Sequence, residues 1–434
     1  MSHTHDLDIT IDQISKIEGH AEIEVNIRQG EVKELKLKIS ENKRFYTQAI
    51  RGKSFAQIPQ LVSRVCGTCS VAHLNCSTIA IENALGFQVS EQTQLLRELS
   101  MYGLNIRDHA MHLYFFSLPD EVEKDSVMEM LSSHPDLVHD AFHVKGCGNA
   151  LSKLVLGRAI HGMFCQIGYY TNVPTKEQSQ KMVAELKENR EPVLKLIDLF
   201  YRSASSFERE TNFVALIGKK YDFLTGEIEN SKGLCIPPSL YFEHLNHRVI
   251  PYSQASGYEF EGENYMVGAL ARLNLDAGEL NSETKKDCSE YLKAFPSKNM
   301  YHNNLAQAIE ILHSIDNAVE ILESTDFKPE TKPVVQPKQT DGIGLIEAPR
   351  GNLFYLISME KGGKIRYGDI VTPSSQNQIN LENDLKKLVQ GLVSQDSPKT
   401  KIIFEMEKLI RAYDPCFSCA SHFLKVKWKE EKSG

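Results

Sequence analysis

The sequence predicts an α+β fold, a large helical core carrying peripheral antiparallel β-hairpins. Three observations predict it. Apolar residues alternate with polar ones near the N-terminus, where Ile23, Val25 and Ile27 precede Gln29-Gly30 and Leu35, Leu37 and Ile39 follow, the pattern of two half-buried strands joined by a tight turn. Long stretches of the middle instead repeat their apolar residues at helical spacing. A second alternating stretch near the C-terminal third holds Leu353, Tyr355 and Ile357, then Gly362-Gly363, then Ile365 to Val371.

A helix is expected to start near Ser90, an acceptable N-cap, and to carry Leu95, Leu99, Tyr102, Ile106, Ala110 and Leu113 on one side; nothing breaks it before Pro119. A second runs through Leu305, Ile309, Leu312, Ile315, Val319 and Leu322. A third lies between Lys176 and Phe207, with Pro192 as a break or restart. The Lys328–Pro337 stretch, rich in Pro and charge, reads as an extended surface connection. No internal repeat divides the 434 residues, so residues 1–422 are expected to form one domain.

Composition excludes several function classes. A formal net charge of -8 argues against a general nucleic-acid binder, whose footprint is basic. No apolar run is long enough for a membrane span. The start, Met1-Ser2-His3-Thr4-His5-Asp6, lacks the regions of a signal peptide, so the expected compartment is the cytoplasm. Nine cysteines are too few and too scattered for a secreted disulfide framework.

Four of those cysteines form two pairs, Arg64-Val65-Cys66-Gly67-Thr68-Cys69 and Asp414-Pro415-Cys416-Phe417-Ser418-Cys419. Four thiolates can hold zinc, an iron–sulfur cluster or nickel. Structural zinc modules keep their pairs close together because the metal replaces a core. Here hundreds of residues intervene, so a large folded body must bring the pairs together. The other five cysteines, Cys76, Cys147, Cys165, Cys235 and Cys288, read as small buried hydrophobes.

With the trailing Ala420-Ser421-His422, the two pairs resemble the metal-binding signatures of the large, catalytic subunit of nickel-iron hydrogenases. Five further segments match that family in order: Ile14-Ser15-Lys16-Ile17-Glu18-Gly19-His20, Asp108-His109-Ala110-Met111-His112-Leu113-Tyr114, Gly157-Arg158-Ala159-Ile160-His161, Glu347-Ala348-Pro349-Arg350-Gly351 and Pro373-Ser374-Ser375-Gln376-Asn377. The resemblance covers nearly the whole chain. It implies the fold of that subunit and the reversible heterolytic cleavage of dihydrogen to protons and electrons.

The same resemblance implies a nickel–iron centre whose iron carries carbon monoxide and cyanide, with Cys66 and Cys416 terminal on nickel and Cys69 and Cys419 bridging. Heterolytic cleavage leaves a proton that needs an acceptor, and the resemblance gives the path to Cys416 and Glu18. Taken alone, Glu18 would read as a surface carboxylate. Arg350, after Pro349, would set its guanidinium fork against a cyanide, Ser374 would donate to the other, and Asp108 and Asp414 would orient Arg350. On a helix after the first pair, Cys69, His73 and Cys76 share a face; His73 is expected beside a bridging sulfur. Cys76 reads as a buried filler with an extra active-site thiol as its alternative.

One departure stands out. The family usually has a Glu in an Arg-Phe-Phe-Glu segment, where it binds magnesium or iron together with the last His and a backbone carbonyl. Here the segment is Arg44-Phe45-Tyr46-Thr47, and Thr47 is a poor ligand for a hard cation. His422 and Ile370 would supply the remaining ligands of that second site. Gly162 also stands where many members have Pro. Residues 423–434, lysine-rich and without apolar period, correspond to a C-terminal peptide commonly removed after the His once nickel is in place.

The chain has no further cysteine framework and no Gly-rich nucleotide fingerprint, so electrons must leave through another polypeptide. Implied partners are an iron–sulfur small subunit, diaphorase-type NAD(P)/flavin subunits as in soluble bidirectional members and sulfhydrogenases, and the maturation protease and nickel-insertion factors. A deazaflavin or another acceptor stays open. Two rival readings are a non-catalytic scaffold related to the quinone-proximal subunit of respiratory complex I, a lineage that lacks the four cysteines, and a structural zinc protein.

Overall fold

The computed structural model describes residues 6–41 and 45–421. Its N-terminal sheet has three antiparallel strands, β1 (Leu7–Ile11), β2 (Ala21–Arg28) and β3 (Glu31–Ile39). Gln29 and Gly30 turn the β2–β3 hairpin with φ of 53° and 76°, the positive values that suit two-residue hairpin loops to the strand twist. The expected hairpin is therefore present, and β1 extends it with Ile9 opposite Val25. Alternate residues of β2 are buried.

Two short helices, α1 (Tyr46–Ala49) and α2 (Ile58–Val62), lead to the first cysteine pair, and α3 (Ser70–Leu85) follows it. Ser90 caps α4 (Glu91–Ala110), its hydroxyl accepting from the Thr93 N–H at 3.0 Å. The helical path does reach Pro119, but it changes character: Met111–Ser117 winds as a π-helix before α5 (Leu118–Glu121). Such widened turns concentrate at functional sites, and this one carries the buried His112. Next come α6 (Pro135–Leu156) and a small hairpin of β4 (Cys165–Gln166) and β5 (Tyr169–Tyr170).

The helical stretch after Lys176 splits into α7 (Lys176–Glu188) and α8 (Arg190–Tyr201). The break falls at Asn189, and Pro192 sits in the first turn of α8, where a missing N–H costs no helix bond. A segment the sequence leaves unassigned supplies a four-stranded sheet in the order β11-β6-β7-β8: β6 (Asn212–Ile217), β7 (Glu227–Asn230), β8 (Cys235–Ile236) and β11 (Tyr265–Met266). The β11–β6 pairing is parallel, so the β elements are not all antiparallel. Between them β9 (Leu245–Val249) and β10 (Ser256–Phe260) form an antiparallel pair.

After α9 (Ala269–Asp276) and α10 (Ser282–Asp287), the helix expected from Leu305 to Leu322 is α11 (His302–Ser324). The Lys328–Pro337 connection has no regular structure. A further sheet, β12 (Thr340–Ala348), β13 (Gly351–Met359) and β14 (Ile365–Val371), contains the expected second hairpin and one more strand. Glycines of β12 let α3 lie directly on it: a Cβ on Gly342 would meet the Ala80 carbonyl at 2.2 Å, and one on Gly344 the Cys76 carbonyl at 2.2 Å. The chain ends in α12 (Pro373–Ser394), α13 (Lys399–Ala412) and α14 (Phe417–Ala420).

One apolar cluster joins α3, α4, α6 and α11 to the β12–β13 sheet; another joins the N-terminal sheet to α12 and α13. The outer edge of β3 is covered by α12, whose Gln390 and Glu382 accept from the Val32 and Leu37 N–H groups at 2.9 Å each. Covering an edge in this way satisfies groups that would otherwise template association. The four paired cysteines form their own small buried cluster.

Candidate metal centre

Cys66 lies in the loop between α2 and α3, and Cys69 begins α3. Cys416 and Cys419 lie at the two ends of the first turn of α14. The fold brings these pairs face to face: Cys66 Sγ is 3.3 Å from Cys416 Sγ, Cys69 Sγ is 3.1 Å from Cys419 Sγ, and Cys416 and Cys419 sulfurs are 2.7 Å apart. All four sulfurs fall within 4.8 Å of one another and all are buried. Hydrogen bonds from Cys416 and then Cys419 hold the Cys66 thiol well below its ordinary range, while burial pushes Cys416 well above it. Four crowded, dehydrated soft donors suit a soft or borderline metal, whose binding would expel the shared protons.

Beside the sulfurs, Cys69, His73, Ala348, Pro349, Arg350, Leu353, Pro373, Ser374, Cys416 and Cys419 line about 270 Å³ of space not filled by protein. Arg350 is locked over it. Its Nη1 donates to Asp108 Oδ2 at 2.7 Å, its Nη2 to Asp414 Oδ1 at 2.8 Å and its Nε to the Asp414 carbonyl at 2.7 Å. Burial opposes the guanidinium charge, but the two carboxylates more than offset it and hold Arg350 cationic. Asp414 takes a φ of 48° before Pro415, a conformation that L residues adopt at a cost. Ser374 accepts from the Cys416 N–H at 2.7 Å, which leaves its own proton free to donate into the space.

Glu18 is brought in from the N-terminal segment by a bridge to the second pair. The Phe417 N–H donates to the Glu18 carbonyl at 2.9 Å, and Glu18 Oε2 accepts from Cys416 Sγ at 2.9 Å and from the Ser418 N–H at 3.2 Å. Burial raises its carboxyl pKa, and the charge near Cys66 raises it further. Gly19 is required next to it: at φ +87° a Cβ there would meet the Ser418 nitrogen at 2.8 Å. Lys16 holds the other side of the segment, its Nζ 2.6 Å from Asp120, which also binds Arg411 at 2.5 Å.

His73 stands where the sequence puts it, its Nε2 3.8 Å from Cys419 Sγ. Its Nδ1 meets the Tyr355 hydroxyl at 2.7 Å, a partner that sequence spacing does not reveal. Two others were also missed. Gln307 Nε2 donates to Asp414 Oδ2 at 2.9 Å, and Nδ1 of His112 on the π-helical turn meets Gln307 Oε1 at 2.5 Å. His112 lies in the Asp108–Tyr114 segment, and Gln307 lies outside every matched segment. Arg107 donates to the Thr68 carbonyl and to the Ala159 carbonyl, tying the first cysteine loop to the Gly157–His161 segment.

Cys76 is a filler, its thiol bonded to the Leu353 carbonyl at 3.2 Å and driven by burial far from the thiolate form. Cys235 corrects the reading of the five remaining cysteines: it is exposed on β8, its Sγ 3.0 Å from Glu227. Thr47 lies on α1, which packs against β14, the strand that carries Ile370. His422 and Arg44 lie outside the described residues, as does the 423–434 tail.

Comparison with known proteins gives one answer. The family profile described as nickel-dependent hydrogenase matches residues 44–141 and 248–422, more than half of the chain. The sulfhydrogenase 2 subunit alpha of Pyrococcus furiosus is 31% identical, across 96% of this chain and 100% of its own length. The sulfhydrogenase 1 subunit alpha of the same organism is 32% identical over 97% and 99%, and the NAD-reducing hydrogenase HoxS subunit beta of Cupriavidus necator is 25% identical over 96% and 95%. Among solved structures, an NAD+-reducing [NiFe]-hydrogenase in the H2-reduced state superposes with a TM-score of 0.85 at 23% identity, covering 96% of this chain and 100% of that one.

Proposed function

The chain belongs to the nickel-dependent hydrogenase family as a catalytic large subunit, and from that premise we propose how its residues divide the work of dihydrogen cleavage. Cys66 and Cys416 would hold nickel, and Cys69 and Cys419 would hold nickel and iron together, in a centre whose iron would carry carbon monoxide and cyanide. When bound, that centre supplies the place where dihydrogen is split. The observation that carries the reading is the Cys416 Sγ–Glu18 Oε2 contact of 2.9 Å, a direct proton step between a ligand sulfur and a carboxylate.

Glu18 takes the proton from Cys416 Sγ and passes it on. Burial raises its carboxyl pKa, which favours its taking the proton from the thiol. Arg350, fixed by Asp108 and Asp414, keeps N–H groups free of those carboxylates that would hydrogen-bond a cyanide of the bound centre. The Ser374 hydroxyl, already accepting from the Cys416 N–H, would donate to the second cyanide. Pro349 and Leu353 line the space with apolar surface and exclude water. His73 steadies the bridging Cys419 sulfur from the Tyr355 side.

Electrons pass to an iron–sulfur small subunit and on to NAD(P) through diaphorase-type flavin subunits. The likeness to an NAD-reducing hydrogenase subunit and to sulfhydrogenase alpha subunits supports this assignment. The compartment is the cytoplasm; among the described residues no helix is long and apolar enough to cross a membrane. A maturation protease removes the tail after His422 once insertion factors have delivered nickel. At the second metal site only His422 and Ile370 would be left to hold magnesium or iron, because Thr47 brings no carboxylate.

Protein purified anaerobically from its host tests the function. Nickel at one per chain with dihydrogen-dependent dye reduction supports it. Zinc in the thiolates with no dye reduction overturns it.

A further inference from the structure

Arg350 is held at its tip by Asp108 and Asp414, but its main chain sits in the two-residue turn Pro349-Arg350 between β12 and β13, where Ala348 pairs with Gly351. That turn is gripped from behind by Arg272 of α9, a guanidinium 2% exposed. Arg272 Nη2 donates to the Pro349 carbonyl at 3.0 Å and Nη1 to the Ala348 carbonyl at 3.2 Å. Its other three N–H groups reach Glu347 at 2.7 Å and both oxygens of Glu310 at 2.6 and 2.7 Å. All five donors of the fork are thus used.

The other packing around the turn is equally close. A Cβ on Gly351 would meet Val267 at 2.5 Å and the Gly268 nitrogen at 2.8 Å, and one on Gly268 would meet the Arg350 carbonyl at 3.2 Å. Glu310 in turn accepts from His109 at 2.8 Å, the neighbour of Asp108. A single buried charge network therefore grips the backbone of Arg350 and the residue next to its carboxylate partner.

We propose that Arg272 is a positioning residue for dihydrogen cleavage, setting the direction of Arg350 through the Ala348 and Pro349 carbonyls. This rests on the reading of Arg350 given above. Lysine keeps a charge for Glu310 and Glu347, but its three donors on one nitrogen cannot also span two carbonyls. The expectation is therefore specific: Arg272→Lys keeps the fold and misplaces Arg350.

The test is the infrared spectrum and turnover of the holoenzyme carrying Arg272→Lys, Arg272→Gln, Arg350→Lys and the double substitution, with Leu186→Ala on α7 as a core truncation remote from the turn. The proposal expects shifted cyanide bands and turnover lowered roughly 10–100-fold in both Arg272 variants, at unchanged nickel content. It expects little further loss when Arg272→Gln is added to Arg350→Lys, and no band shift in Leu186→Ala. Bands and turnover at their unsubstituted values in Arg272→Lys overturn it, and that variant decides if Arg272→Gln does not fold. Full additivity with Arg350→Lys also overturns it. Absence of cyanide bands from the unsubstituted holoenzyme is a different failure, that of the metal-centre reading itself.

Discussion

Glu18 and Cys416 are almost four hundred residues apart in the chain, yet the Cys416 thiol lies 2.9 Å from a Glu18 carboxylate oxygen and the Phe417 N–H closes on the Glu18 carbonyl. Backbone and side chain of one residue thus lock it to the second cysteine pair. Glu18→Gln keeps the shape and removes the proton acceptor. It is expected to bind nickel normally and to lose hydrogen–deuterium exchange activity by roughly 10²–10⁴-fold, the usual worth of a positioned acid–base group. Exchange within a factor of two of the unsubstituted enzyme would contradict the role given to Glu18.

The Arg350 clamp makes a stability prediction. Asp108 is 2% exposed and faces the guanidinium at 2.7 Å. Asp108→Ala leaves a buried cation short of one partner, and removal of one member of a buried pair typically costs about 3–5 kcal/mol. Denaturant unfolding of the apoprotein checks this. Asp108→Asn should recover part of the loss, since the amide oxygen still accepts from Nη1.

How much of this was legible in the sequence depends on the range of each contact. The β2–β3 hairpin, the Ser90 cap and α11 follow from residues a few positions apart, and they were read correctly. The four cysteines were legible because their spacing within each pair is local and its chemistry distinctive. Strand β6, Asn-Phe-Val-Ala-Leu-Ile, is buried on both faces except at its last residue, so it lacks the alternation that marks a strand. Gly342 and Gly344 weaken the strand signal of β12 for the reason that makes them necessary, the close approach of α3. The pairs His73–Tyr355 and Gln307–Asp414 cross large sequence separations, and no periodicity encodes them.

A pH effect away from the centre follows from Asp276 on α9. Burial first, and then the neighbouring Glu279, Glu229 and Asp222 charges, push its carboxyl up to about 7. In the unfolded chain it titrates near ~4, so between those values the folded state holds more protons and stability falls as pH rises. Asp276→Asn removes that decline. Thermal melts should show the variant stabilised at pH 8 relative to the unsubstituted protein, with the difference vanishing below pH ~4; equal shifts at both pH values would refute the assignment.

The proposed maturation would leave a mass signature. Trp428 is the sole tryptophan and follows His422, so nickel-loaded protein should lack tryptophan fluorescence and weigh less by residues 423–434. Nickel-free precursor should retain both. A nickel-loaded chain still carrying Trp428 would show that the tail is not a processed peptide.

The central claim is that the four thiolates of Cys66, Cys69, Cys416 and Cys419 hold a nickel–iron centre with diatomic ligands, and infrared spectroscopy of anaerobically purified protein addresses it directly. Metal-bound carbon monoxide and cyanide stretches are expected, lost when any one of the four cysteines becomes serine. Their absence from protein whose thiolates are fully occupied by zinc would contradict it.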